Sequence, residues 1–112
     1  MVNKISIDCL IFLDDDPVVF TEGIQKYRER HKSGKLIPPI RICHQHEDKY
    51  YARGGHHRTY MFYHRMRRRT IPVSFVRNPV LTGDDRYFIE HGGGVTIHDL
   101  EEHSIDEYPL DE

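Results

Sequence analysis

Ile5, Ile7 and Cys9 alternate with Lys4, Ser6 and Asp8, and the pattern then closes into the unbroken apolar run Leu10, Ile11, Phe12, Leu13. This predicts a first strand that becomes buried on both faces. Asp14, Asp15 and Asp16 followed by Pro17 end it, and Asp16 with Pro17 makes a cap and first-turn pair for a helix from about Val18 to Lys32. Ile24 and Tyr27, with Val19 or Phe20 one turn earlier, form the apolar stripe of that helix, and Ser33-Gly34 stops it. Pro38-Pro39 imposes an extended entry into a β-hairpin, Ile40 to His44 and Lys49 to Arg53, around the polar turn Gln45 to Asp48. A second helix is expected from His56 to Arg68, where Tyr60, Met61, Tyr63, His64 and Met66 recur at spacings near three and four. Thr70 to Val76 reads as a strand, Tyr87 to Ile89 as a weak strand, Gly92 to Gly94 as a flexible link and Val95 to Leu100 as a short ordered segment. No internal repeat is visible. The sum is an α+β domain with a mixed sheet of about four or five short strands and two main helices.

A chain of 112 residues holds one core, and 38% hydrophobic residues make it a modest one. The expected organisation is a domain over residues 1–80, an extension over 81–100 that is weakly structured or packed on it, and an acidic, loose tail over 101–112. No run approaches the roughly 18 apolar residues of a membrane span, and Lys4 and Asp8 interrupt the N-terminal apolar pattern, so no membrane partner and a cytoplasmic address are expected. Cys9 and Cys43 each sit in an apolar run and read as buried free thiols.

The net charge of −2 conceals an asymmetry. Lys49, Arg53, Arg58, Arg65, Arg67, Arg68, Arg69 and Arg77 fall in a segment without an acid, whereas beyond Val80 the acids dominate and Arg86 is the lone base. Arg65, Arg67, Arg68 and Arg69 read either as a nucleic-acid face or as cations that complement a helix C-terminus. The acidic tail reads as a site for a protein partner.

The chemistry concentrates at Tyr50 to Arg58, Tyr-Tyr-Ala-Arg-Gly-Gly-His-His-Arg. A strand that ends in Gly54-Gly55 and opens into a helix leaves backbone N–H groups free beside two histidines and an arginine, the makings of a phosphate cradle. On spacing alone the same residues are equally a helix cap with solvated side chains. The triple Asp likewise reads either as a helix cap or as a catalytic acid. His44/His46 and His56/His57 lack the Cys or carboxylate that would complete a metal spacing, so no metal site is expected. Nor do the carboxylates cluster for two-metal phosphodiester cleavage.

With its Pro-Pro-Ile strand entry, short hairpin, Gly-His-His-Arg at Gly55 to Arg58 and Thr-Ile-Pro-Val at Thr70 to Val73, the chain resembles the ParB and sulfiredoxin superfamily over roughly Lys4 to Val76. The resemblance implies a small ParB/sulfiredoxin-like domain that binds a nucleoside triphosphate or diphosphate, ATP, ADP or CTP with Mg²⁺, through Gly54, Gly55, His56, His57, Arg58 and Thr59. His56 stands where sulfiredoxins carry their reactive cysteine, which excludes sulfinic acid reduction. Partition ParB proteins read Gly-Glu-Arg-Arg here and continue into a helix-turn-helix domain, and neither is present. The free serine kinases of the superfamily are similar in reading Gly-His-His-Arg, and they place a general base after the first strand, where this chain has Asp16. They also carry an Asp before the motif, where this chain has Gly54. The expectation is therefore a nucleotide-binding domain, with phosphotransferase or NTP hydrolase activity resting on Asp16 and His57. The alternative is a non-enzymatic adaptor for nucleic acid or protein, of a kind that a mobile element or virus carries, with the Arg-rich helix as its binding face.

Overall fold

The computed structural model describes residues 3–14 and 18–104. Its first departure from the periodicity is at the N-terminus. The expected single strand is two, β1 (Asn3–Ser6) and β2 (Leu10–Phe12), with a 3₁₀ turn at Ile7–Cys9 between them. Ile7 and Leu10 are both fully buried. Three residues apart on one strand they would face opposite sides, whereas one 3₁₀ turn brings both into the same core.

The second departure follows at once. Val18–Phe20 is a strand, β3, and the helix α1 runs over Thr21–Lys32 with Phe20 as its N-cap. The β-branched pair Val18-Val19 favours extended backbone, and a distant partner, β7 (Glu101–His103), supplies the hydrogen bonds in parallel register, Val19 opposite Glu102. The Asp16-Pro17 cap lies outside the described residues. The end of α1 agrees with its sequence: the Ser33 hydroxyl donates to Arg30 O at 3.0 Å and Ser33 N–H to Glu29 O at 3.0 Å.

The hairpin forms as expected with a longer first strand, β4 (Ile40–His46), and a second, β5 (Lys49–Ala52), that ends one residue before Arg53; Glu47-Asp48 join them. With β6 (Thr70–Phe75) these strands complete a five-stranded mixed sheet, ordered β1-β6-β4-β5-β2. The outer pairs differ, β1 running antiparallel to β6 and β2 parallel to β5. Between β5 and β6 lies α2 (His56–Tyr60), continued by a π-helical turn over Met61–Arg65, where Met66 N–H reaches Met61 O at 3.0 Å. This helix therefore stops at Arg65 rather than Arg68.

Both faces of the sheet are covered. Ile7, Leu10, Phe12, Ile40, Ile42, Ile71 and Val73 form the main core with Ile24, Met61 and Phe62 from the helices. A smaller cluster on Leu13, Cys43 and Tyr51 takes Phe88 and Ile89 from α3 (Gly83–Glu90). This third helix replaces the weak strand expected at Tyr87 to Ile89. The Thr82 hydroxyl accepts Asp85 N–H at 3.1 Å while the Asp85 carboxylate accepts Thr82 N–H at 2.9 Å, a reciprocal cap that outweighs the β preference of Tyr-Phe-Ile. Residues 95–103 are equally ordered: Val95 bridges Phe12, and Glu101–His103 is strand rather than loose tail. The remaining tail residues, 105–112, lie outside the described residues. Cys43 is a buried free thiol donating to Tyr51 O at 3.4 Å, while Cys9, also free, is half-exposed.

Candidate anion-binding cleft at the glycine turn

Gly55 caps α2 in the left-handed region, at φ 99°. A Cβ there would lie 2.4 Å from Ile40 Cδ1, so both the backbone and the core beneath require glycine. Gly54 is different. Nothing lies within 4 Å of where its Cβ would sit, which leaves its backbone open on the surface.

The three residues after Gly55 are more committed to the fold than their chemistry suggests. His57 Nε2 accepts the backbone N–H of Phe20 at 3.0 Å, and the imidazole packs so close to α1 that a Cβ on Gly23 would meet its Cδ2 at 2.4 Å. Burial, and after it the neighbouring His56, hold the His57 pKa below its ordinary value of 6.5, so the ring is neutral and its acceptor nitrogen engaged. Arg58 Nη1 donates to Pro38 O at 2.9 Å and Pro39 O at 3.3 Å, with the guanidinium carbon 5.8 Å from the Tyr27 ring centroid. Its Nε is buried without a hydrogen-bond partner among the described residues. Thr59 is fully buried and its hydroxyl closes onto Gly55 O at 2.8 Å, which takes it out of the expected ligand set. His56 lies against the Phe12 ring, centroids 4.3 Å apart, with Nε2 3.7 Å from Asp14 Oδ2. Asp14 is thus the acid that the described chain brings to the turn, and Asp16 lies outside the described residues.

Two arginines complete the site. Ile42 pairs with Ala52 in the antiparallel hairpin, so Arg41, one residue before the pair, and Arg53, one residue after it, are brought to adjacent positions. Arg41, Arg53, Arg58, Gly54 and Cys43 line a cleft of about 280 Å³, walled on the far side by Val76 and Val80. Arg53 is itself anchored, donating to Val80 O at 2.5 Å and to the Asp85 carboxylate. The Arg53 side chain keeps 47% of its surface exposed, while Asp85 keeps 9%. The cleft is therefore a cationic concavity with one of its three guanidinium groups partly neutralised. Arg41 belongs to no motif in the sequence; only the hairpin register reveals it.

Arg65, Arg67, Arg68 and Arg69 do not line this cleft. Arg65 Nη2 donates to both carboxylate oxygens of Glu102, at 2.5 and 2.6 Å, so a residue of the acidic C-terminal segment neutralises the first cation of the cluster. Arg67, Arg68 and Arg69 line a separate hollow with Tyr63 and His64.

Neither a scan against protein-family models nor a search of curated proteins gives a match. Among solved structures the chain is similar to protein Atu1540 from Agrobacterium tumefaciens, with a TM-score of 0.60 at 17% identity over 91% of this chain. The match spans 62% of that protein. The likeness shows the α+β fold alone. Among the described residues no helix is long and apolar enough to cross a membrane, and no group of three or more His, Cys, Asp or Glu is placed to hold a metal ion.

Proposed function

We propose that the chain binds the phosphates of a nucleoside di- or triphosphate in the cleft over Gly54, with Arg41, Arg53 and Arg58 as its cationic partners. The convergence of three guanidinium groups, from β4, the glycine turn and α2, on one concavity carries this reading. Arginine forks match phosphate oxygens in pairs, and like charges on adjacent strands repel until an anion comes between them. The open backbone of Gly54 adds an approach that no side chain obstructs.

This reading moves the binding burden from the histidines to the arginines. His57 serves as an acceptor for backbone and Thr59 as a buried helix residue, so neither is a phosphate ligand in it. A cleft of about 280 Å³ takes a polyphosphate group and leaves the sugar and base outside, so the proposal includes weak discrimination between ATP, CTP and GTP. Mg²⁺ enters with the phosphates, because among the described residues no set of three protein ligands is gathered for it. Phosphotransfer or hydrolysis would require an acid at the bound phosphate, and Asp14 and Asp16 are the residues to test for it. A cytoplasmic site of action, where such nucleotides are abundant, belongs to the same reading.

The test is a thermal-shift series with ATP, ADP, CTP, GTP and inorganic tripolyphosphate, each with Mg²⁺. The melting temperature should rise with all of them, and Arg41→Ala, which removes an exposed side chain, should abolish most of the rise. The absence of a shift with every nucleotide and with tripolyphosphate would overturn the proposal.

A further inference from the structure

Beyond Arg65 the chain leaves the π-helical turn through Arg67, whose φ of 54° lies in the left-handed region that a side chain rarely adopts. Single residues of this kind persist where the surroundings hold them. Here Arg68 N–H donates to Phe62 O at 2.8 Å and Arg69 O accepts Ile7 N–H at 2.9 Å, so the backbone of the three consecutive arginines is fixed on both sides. Their side chains line a hollow of about 400 Å³ whose other walls are Tyr63 and His64, with no acid among the lining residues.

The guanidinium groups are arranged by aromatic contacts. Arg68 lies 5.4 Å from the Phe62 centroid and Arg69 5.9 Å from that of Tyr63. No hydrogen bond or ion pair holds the Arg67 side chain among the described residues. His64 is exposed, backed by the Tyr60 ring at 4.3 Å and the edge of Tyr63 at 4.9 Å, so the imidazole is braced from behind while one side borders the hollow. Its partial desolvation, and then the nearby Arg65 and His98, keep His64 below its ordinary pKa, so at neutral pH it is an uncharged planar ring. Arg65, paired with Glu102, does not line the hollow.

We propose that Arg67, Arg68, Arg69, Tyr63 and His64 form a binding site for single-stranded nucleic acid, separate from the nucleotide cleft. The arginines meet successive phosphates, and a base stacks on the His64 ring beside Tyr63. A preorganised row of cations supplies the electrostatic contact and the aromatic wall a sequence-tolerant platform, the two elements that single-strand binders combine. A duplex keeps its bases stacked inside and presents a convex phosphate surface, which an aromatic-lined hollow of this size does not engage. DNA and RNA strands share the chemistry, and the 2′-hydroxyl is what separates them.

The experiment is fluorescence anisotropy with labelled oligo(dT) and oligo(U) of about ten nucleotides, a common span for such sites, titrated with the full chain at several salt concentrations. Binding of either strand is expected, the tighter one naming the polymer, with an affinity that falls steeply with salt. Arg67→Gln combined with Arg69→Gln should weaken binding at least about tenfold and reduce the log–log salt slope by about 1.4, the share of two phosphate contacts at 0.7 each. His64→Ala should weaken binding about tenfold and leave the slope unchanged, which is the mark of lost stacking rather than lost charge. Arg86→Gln, on α3, should bind as the native chain does. Failure to bind either strand at low salt, unaltered binding by the double arginine variant, or equal affinity for a duplex of the same length would each overturn the proposal. Melting curves check that the variants fold; should the double variant fail to, Arg67→Gln alone decides, with a weaker but measurable loss of affinity expected and unchanged affinity counting against the site.

Discussion

The backbone N–H of Phe20 donates to Nε2 of His57 across 3.0 Å, tying the start of α1 to the start of α2. Only the neutral imidazole can accept this bond, and the His57 pKa is depressed in the folded protein. The stability it contributes is complete above the unfolded value of about 6.5, declines as the pH falls below that value, and levels off once the pH passes beneath the folded pKa. His64 shifts in the same direction. Thermal melts between pH 5 and 8 should show a loss of stability on the acid side of about pH 6.5, and His57→Gln should remove part of that dependence. At neutral pH, His57→Ala should cost about 1–3 kcal/mol, since it strands a part-buried backbone donor.

Gly54 and Gly55 are neighbours with opposite requirements. Gly55→Ala forces a left-handed methyl-bearing residue against Ile40 and should cost at least about 1–2 kcal/mol in denaturant unfolding. Gly54→Ala has open space and should leave stability within about 0.5 kcal/mol of native. It also places a methyl group over the cleft, so a reduced nucleotide shift with unchanged melting would separate the binding role of Gly54 from any part in folding.

Asp85 serves two masters. Its carboxylate completes the cap of α3 and holds Arg53, and although burial alone would raise its pKa, the Thr82 N–H and Arg53 bring it below the usual range. Asp85→Asn should lower stability by about 1–2 kcal/mol. The same change frees Arg53 for an incoming anion and should tighten tripolyphosphate binding. Isothermal titration beside a melting curve would read both; a loss of affinity would mean that Asp85 positions Arg53 rather than competing for it.

Glu102 accepts from Arg65 and from the Thr21 hydroxyl, at 2.9 Å, so one carboxylate joins β7, the π-helical turn and α1. Burial opposes its ionisation, but these hydrogen bonds prevail and its pKa lies below 4.5. Its contribution is therefore present above about pH 4.5 and lost as the pH falls through the lower folded value. Glu102→Gln should cost about 1 kcal/mol at neutral pH, and the difference from the native chain should vanish in acid.

Much of the fold is legible because the signals are local. The Pro-Pro entry, the hairpin at Ile40 to Ala52, the glycine turn and the strand from Thr70 each depend on residues next to them. What escaped depends either on distance or on the weight given to competing local signals. Val18–Phe20 reads as helix until β7 is known to lie beside it, and Tyr87 to Ile89 reads as strand unless the Thr82–Asp85 cap is given more weight than the β preference of three aromatic and branched residues. The candidate site divides in the same way. Gly54, Gly55 and Arg58 stand together in the sequence, whereas Arg41 joins them only through the strand register, and His57 and Thr59 carry suggestive side chains that the packing has already engaged.

The parallel pairing of β3 with β7 places a constraint on how the molecule is made. The strand that offers Phe20 N–H to His57 has its own partner near the far end of the described chain, so during synthesis the glycine turn emerges long before the element that steadies its support. The turn and its arginines are expected to stay unset until residues 101–103 arrive. Competence to hold an anion should then appear late and all at once, rather than growing with chain length.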